Sequence, residues 1–135
     1  MSSTFVLHPR LAADTFVVMD RRLSRVLLMN DARYRWLVLV PRVADAVELF
    51  DLSKPDRAAL TEETAKTARM LKEITGAAKI NIGALGNLVP QLHVHVVARN
   101  PGDAAWPGPV WGSGKPQPYA AEARAAFLAR LVNDL

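Results

Sequence analysis

Up to Pro41 the chain sets short apolar runs between polar breaks, then changes to a longer helical spacing before returning to strand-like runs. Phe16 to Met19 and Arg25 to Met29 are β-branched or aliphatic, and the polar stretch Asp20 to Ser24 between them predicts a hairpin. Trp36-Leu37-Val38-Leu39-Val40 is apolar throughout and closes at Pro41, the pattern of a central strand covered on both faces. Between these runs lie the turn formers Asn30, Asp31, Ala32 and Arg33. Ser53-Lys54-Pro55-Asp56 predicts a helix start, with Ser53 accepting from an early backbone N–H, Pro55 suited to the first turn and Asp56 returning the bond. Leu60, Thr64, Thr67, Leu71 and Ile74 then form one stripe at helical spacing, and Gly76 is the expected stop. A helical turn around Ala44 to Phe50 is weakly signalled. Lys79 to Ala84 resumes strand character, with Ile80 and Ile82 on one face and Asn81 and Gly83 on the other. Gly86-Asn87 turns the chain into Gln91 to Val97, and the two runs are expected to pair as a hairpin. Asn100 to Pro118 holds five of the nine prolines together with Trp106 and Trp111, which predicts an irregular loop. A last helix is expected from Tyr119 to Val132, burying Phe127, Leu128 and Leu131.

At 135 residues the chain fits a single domain, 1–135, with a core over 16–100, a loop over 100–118 and the closing helix; no repeat or linker is visible. Half the residues are hydrophobic and 22% are charged, an ordinary globular balance. The absence of cysteine excludes disulfides, thiolate catalysis and thiolate zinc sites. A net charge of +4 is spread over dispersed arginines, which suits an anionic ligand without pointing to nucleic acid. No run approaches a membrane span and the N-terminus has no signal-peptide core, so a cytoplasmic location is the expectation.

The run Gln91-Leu92-His93-Val94-His95-Val96-Val97 carries the candidate chemistry. On a strand, Gln91, His93 and His95 share one face, Leu92, Val94 and Val96 the other, and the histidines stand about 6.6 Å apart. Three readings follow. The pair can be half-buried residues without chemistry. It can offer two nitrogen ligands to a transition metal, but the only further histidine is His8, beside Pro9, and the strand holds no carboxylate. It can also attack phosphorus, one imidazole as nucleophile while the other carries a proton or binds a phosphate oxygen. His8 reads as a surface residue. Arg99, just past the strand, reads either as a solvated strand-end arginine or as a phosphate contact. The Trp106 to Trp111 loop either covers the site, with an indole on a base, or packs on its own core.

This run resembles the signature of the histidine triad (HIT) nucleotide-binding proteins, His-φ-His-φ-His-φ-φ with φ apolar, at every position but the first. The order of a strand ending in Val40-Pro41-Arg42, a long helix, Asn81-x-Gly83 and Gly86-Asn87 resembles the family as well, over residues 16–100. The resemblance implies an α+β fold on an antiparallel sheet of about five strands, two chains paired into a homodimer, and hydrolysis or transfer at the α-phosphate of a nucleotide through a nucleotidyl-histidine intermediate, without cofactor or metal. It assigns His93 as nucleophile and His95 as phosphate or leaving-group contact. It assigns Asn81, Gly83 and Asn87 to the substrate, Asn87 standing where glutamine is more common. Asn30 or Asp31 corresponds to the ribose contact. Gln91 departs from the family by replacing its first histidine, at the catalytic position that the resemblance assigns to supporting the nucleophile by hydrogen bonding; an amide can donate and accept but cannot titrate. A non-catalytic nucleotide-binding module is therefore the alternative to an enzyme.

Overall fold

The computed structural model describes residues 4–135, so the first three residues of the expected domain lie outside the described residues. A five-stranded antiparallel sheet in the order β1-β2-β3-β5-β4 organises the chain. Its strands are β1 (Thr15–Asp20), β2 (Ser24–Met29), β3 (Arg35–Pro41), β4 (Lys79–Gly83) and β5 (Val94–Arg99). The predicted β1–β2 hairpin forms, and Glu63 of the long helix α2 (Lys54–Thr75) closes its turn by accepting from the backbone N–H groups of Leu23 and Ser24, both at 2.9 Å.

Strand alternation divides the apolar residues into two layers. Val26, Leu28, Leu37, Leu39, Val96 and Ala98 face α2 and the C-terminal helix α3 (Ala121–Asp134), meeting Leu71 and Leu131. Leu27, Trp36, Val38, Val40 and Val97 face the other way, against Leu11, Val110 and the partly buried Phe5, Leu7 and Trp111. The continuous apolar run of β3 is thus covered on both sides, as its composition predicts. The two long helices, α2 and α3, occupy one face; the N-terminal segment and the proline-rich loop occupy the other.

Ser53 caps α2 by accepting from the Asp56 N–H at 3.3 Å, and Gly76 ends it in the left-handed region at φ 68°. The return bond expected of Asp56 is not made. A reciprocal cap forms instead at the short 3-10 turn Leu49–Asp51, where Asp51 accepts from the Glu48 N–H at 2.8 Å.

Three expectations are corrected. The histidine strand begins at Val94 instead of Gln91, because its last β3 pairing is Leu39 with Val94 and the Leu92 N–H turns to the Ala46 carbonyl at 2.9 Å. β4 and β5 do pair, but the connection of residues 84–93 is a long excursion and not a tight turn. α3 starts at Ala121, since the Tyr119 N–H is taken by Asn30 Oδ1 at 2.9 Å. A short helix α1 (Pro9–Asp14) was not expected at all. Among the described residues no helix is long and apolar enough to cross a membrane.

Candidate active site

On the sheet face opposite the helices, His93 and His95 line a cleft of about 510 Å³ with Trp36, Met29, Asn87, Trp111 and, from α1, Arg10 and Asp14. Gly83 pairs with His95 and Val38 with His95 on its other side, so β5 holds the ring from the centre of the sheet. The excursion before β5 draws the two rings closer than strand spacing would: their centroids lie 4.8 Å apart with planes at 70°. Both residues are only 6% exposed.

Each imidazole has its tautomer set by its partner. His93 Nδ1 lies 2.7 Å from the Gln91 carbonyl oxygen, which can only accept, so Nδ1 carries the proton and Nε2 keeps its lone pair. His95 Nδ1 lies 3.0 Å from the Trp36 indole Nε1, which can only donate, so Nδ1 accepts and the proton of the neutral ring sits on Nε2. The two residues therefore present opposite faces to a ligand, one a nitrogen lone pair and one an N–H donor. Trp36 and Trp111 flank His95 with centroids at 5.6 and 5.5 Å. Burial among these rings, with the neighbouring His93 second, pushes the His95 pKa down to about 3. His95 is neutral throughout the physiological range.

The side chain of Gln91 does not support His93. Its Oε1 accepts from the His8 N–H and its Nε2 donates to the Val6 carbonyl, both at 2.8 Å, docking the N-terminal segment. His8 caps α1 through Nδ1, which accepts from the Arg10 N–H at 3.1 Å. Gln91 thus helps hold Arg10 and Asp14 beside the cleft, while its main-chain carbonyl, independent of residue type, orients the His93 ring.

Asn30 and Asp31 line an adjoining depression of about 390 Å³ that shares Arg10, Asp14, Met29 and Trp36 with the histidine cleft. Asp31 is buried, which opposes its ionisation, but the Arg33 guanidinium at 2.8 Å and the backbone N–H groups of Arg33 and Gln117 hold its carboxyl below the usual range. Asn87 is exposed at the cleft wall.

Asn81, Gly83 and Arg99 are placed differently from the expectation. Arg99 is 1% exposed and four of its five N–H groups are taken: Nε and Nη2 bond Asp103 at 2.8 and 3.0 Å, Nη1 donates to Asn81 Oδ1 at 2.8 Å, and Nη2 reaches the Gly108 carbonyl at 2.8 Å. It clamps the loop to the sheet, and, buried there, it does not line the histidine cleft. Asp103, bonded by that guanidinium, is held at about 2. Gly83 lies beneath Trp111; a Cβ there would stand 3.0 Å from the indole. The proline-rich loop both packs and covers: Trp106 lies over the Arg99 guanidinium at 5.8 Å, while Trp111 walls the cleft.

Trp36, Arg10 and Asp14 are site residues that sequence reasoning missed. Only Trp36 carried a signal, since a buried indole N–H needs an acceptor and an apolar run offers none. Among the described residues no three histidine or acidic side chains gather as metal ligands. A larger depression of about 730 Å³, lined by Arg33, Arg35, Arg130 and Phe127, lies away from the histidines and has none of them in its lining.

The HIT domain family profile matches residues 10–102. A histidine triad protein from Bradyrhizobium japonicum is 50% identical with a TM-score of 0.96, and one from Sinorhizobium meliloti is 52% identical with a TM-score of 0.95; both alignments cover 98% of each chain. The fold is shared with Plasmodium falciparum diadenosine triphosphate hydrolase at 11% identity and TM-score 0.67, over 98% of this chain and 82% of that one. No curated protein matches the chain in sequence.

Proposed function

Since the chain belongs to the HIT domain family, we propose that it is a nucleotide hydrolase or nucleotidyl transferase working at the α-phosphate of a nucleoside phosphate, a dinucleoside polyphosphate or a nucleoside phosphoramidate. The observation that carries this reading is the pair of opposed tautomers: a His93 Nε2 lone pair beside a His95 Nε2–H, both in one cleft. The lone pair attacks phosphorus, an N–P bond forms, and the bond from phosphorus to the leaving atom breaks with its electron pair going to that atom. The phosphorylated ring is cationic, and its Nδ1–H to the Gln91 carbonyl stabilises that charge. The His95 N–H donates to a phosphate oxygen as negative charge builds there. Water or another acceptor then attacks phosphorus, the N–P electron pair returns to Nε2, and the acceptor's proton passes to solvent.

Asn30 in the adjoining depression takes a ribose hydroxyl, Asn87 the phosphate, and Trp111 a flat face of the ligand, while the Asp31 carboxylate, 2% exposed and engaged by Arg33 and Gln117, holds the loop instead of the ligand. The diadenosine triphosphate hydrolase of P. falciparum, alike in fold, supports the dinucleoside substrate class. Strand β4 lies at the sheet edge with Ile82 53% exposed, and the exposed Phe50 and Leu85 line one depression beside His93, which supports pairing of two copies.

Steady-state hydrolysis of a panel of dinucleoside polyphosphates and nucleoside phosphoramidates tests the reading. Turnover by the wild type that His93→Ala brings to background is expected. Full activity in His93→Ala overturns the mechanism, and nucleoside monophosphate binding without turnover of any substrate favours a binding module instead.

A further inference from the structure

Trp36 has a role that packing alone does not explain. Its indole N–H sits 3.0 Å from His95 Nδ1, the one position through which that ring can take a second proton. An imidazole that must keep Nδ1 as an acceptor can donate a hydrogen bond from Nε2, but it cannot become an imidazolium and give a proton away without first breaking the indole bond. The groups facing His95 supply no substitute. From its own strand entry comes His93, the nucleophile; from β3, Trp36; from the loop, Trp111; and from β4, Gly83, which has no side chain. Among the described residues, the other charged side chains at the cleft are Arg10 and Asp14, an ion pair at 3.8 Å on its α1 wall. Gln91 cannot titrate and is engaged with Val6 and His8.

We propose that Trp36 is a positioning residue that sets leaving-group preference: by fixing His95 as a neutral donor, it favours substrates whose leaving group departs as a phosphate anion over those that leave as an amine or an alcohol. This rests on the function proposed above and divides its two substrate classes. In an anhydride, the bridging oxygen takes the P–O electron pair and leaves as a phosphate that needs no proton; a single Nε2–H hydrogen bond from His95 suffices. In a phosphoramidate the nitrogen takes the P–N pair and must also gain a proton to leave as an amine. Proton donation to a reacting atom is worth roughly 10²–10⁴-fold. Its loss falls on the amidate alone. The depressed pKa of His95 agrees with this geometry.

The test compares kcat/KM of the whole protein for a dinucleoside polyphosphate and for the same nucleotide joined to an alkylamine. The anhydride is expected to react at least about 10²-fold faster. Trp36→Phe keeps an aromatic ring and removes the N–H; it should narrow that ratio about tenfold or more, while ¹⁵N spectra show His95 leaving the pure Nε2–H tautomer. Should that variant fail to fold, aryl esters of the nucleotide with phenols of graded acidity test the wild type, and a steep rise in rate with phenol acidity is expected. An amidate cleaved as fast as the anhydride, or a flat leaving-group dependence, overturns the inference while leaving the proposed function standing. Turnover of neither substrate overturns both.

Discussion

Acid should destabilise this protein through one buried ring, His95. Unfolded, the ring titrates at its ordinary value of 6.5; folded, burial first and the adjacent His93 second push it down to about 3. Over that window the unfolded chain binds a proton that the native state refuses, so the unfolding free energy falls as pH falls. Each unit costs about 1.4 kcal/mol, and by about pH 5, some 1.5 units into the window, the loss is about 2 kcal/mol. His95→Gln removes the titrating group and keeps a side-chain oxygen able to accept from the Trp36 indole. Urea unfolding of both proteins at several pH values between about 7 and 5 isolates the effect, because the contributions of groups distant from His95 largely cancel in the difference. Wild type is expected to lose about 2 kcal/mol relative to the variant across that range. Parallel stability profiles would refute the reasoning, since they would mean that His95 takes up its proton in the native state as readily as in the unfolded one.

Other consequences follow from the same contacts. Gly83→Ala places a methyl 3.0 Å from the Trp111 ring, and overpacking of this kind should cost about 1–3 kcal/mol in chemical denaturation and shift tryptophan fluorescence. Arg99→Met leaves Asp103 and the Gly108 carbonyl without their cation, so a loss of about 3–5 kcal/mol is expected; an effect below about 1 kcal/mol would show that the clamp is not structural. Gln91→Ala removes both bonds to the N-terminal segment and should speed hydrogen exchange at His8 and protease cleavage ahead of α1 by about tenfold, with the His93 tautomer unchanged because its partner is a main-chain carbonyl.

The periodic parts of the chain were legible because local rules decide them. The β1–β2 hairpin, the α2 cap at Ser53, its stop at Gly76 and the burial of Leu60, Thr67 and Leu71 follow from side-chain spacing and backbone preference. His93 and His95 were legible as a pair for the same reason. Helix α1 was not, since a six-residue helix has too few turns to show a stripe and depends on contacts with Gln91, 83 residues away from His8. Trp36 was hidden within an apolar run, where only the register Val38 with His95 and Trp36 with Val97 reveals which side of β3 meets the histidines. Arg99 misled because its environment is made by Asp103 and Gly108, in a loop with no periodicity to read. Gln91 stood out as the departure from the family pattern; its side chain serves the N-terminal segment and its carbonyl meets His93, contacts that no local rule reveals.

The covalent step is open to a single experiment: rapid acid-free quenching of the protein during turnover of a dinucleoside polyphosphate, followed by intact-mass and fragment analysis. An adduct of one nucleotidyl group on His93, absent from a non-hydrolysing His93→Ala variant, is the expected result. Turnover by His93→Ala, or an adduct carried by any other residue, would contradict the assignment of the His93 Nε2 lone pair as the nucleophile.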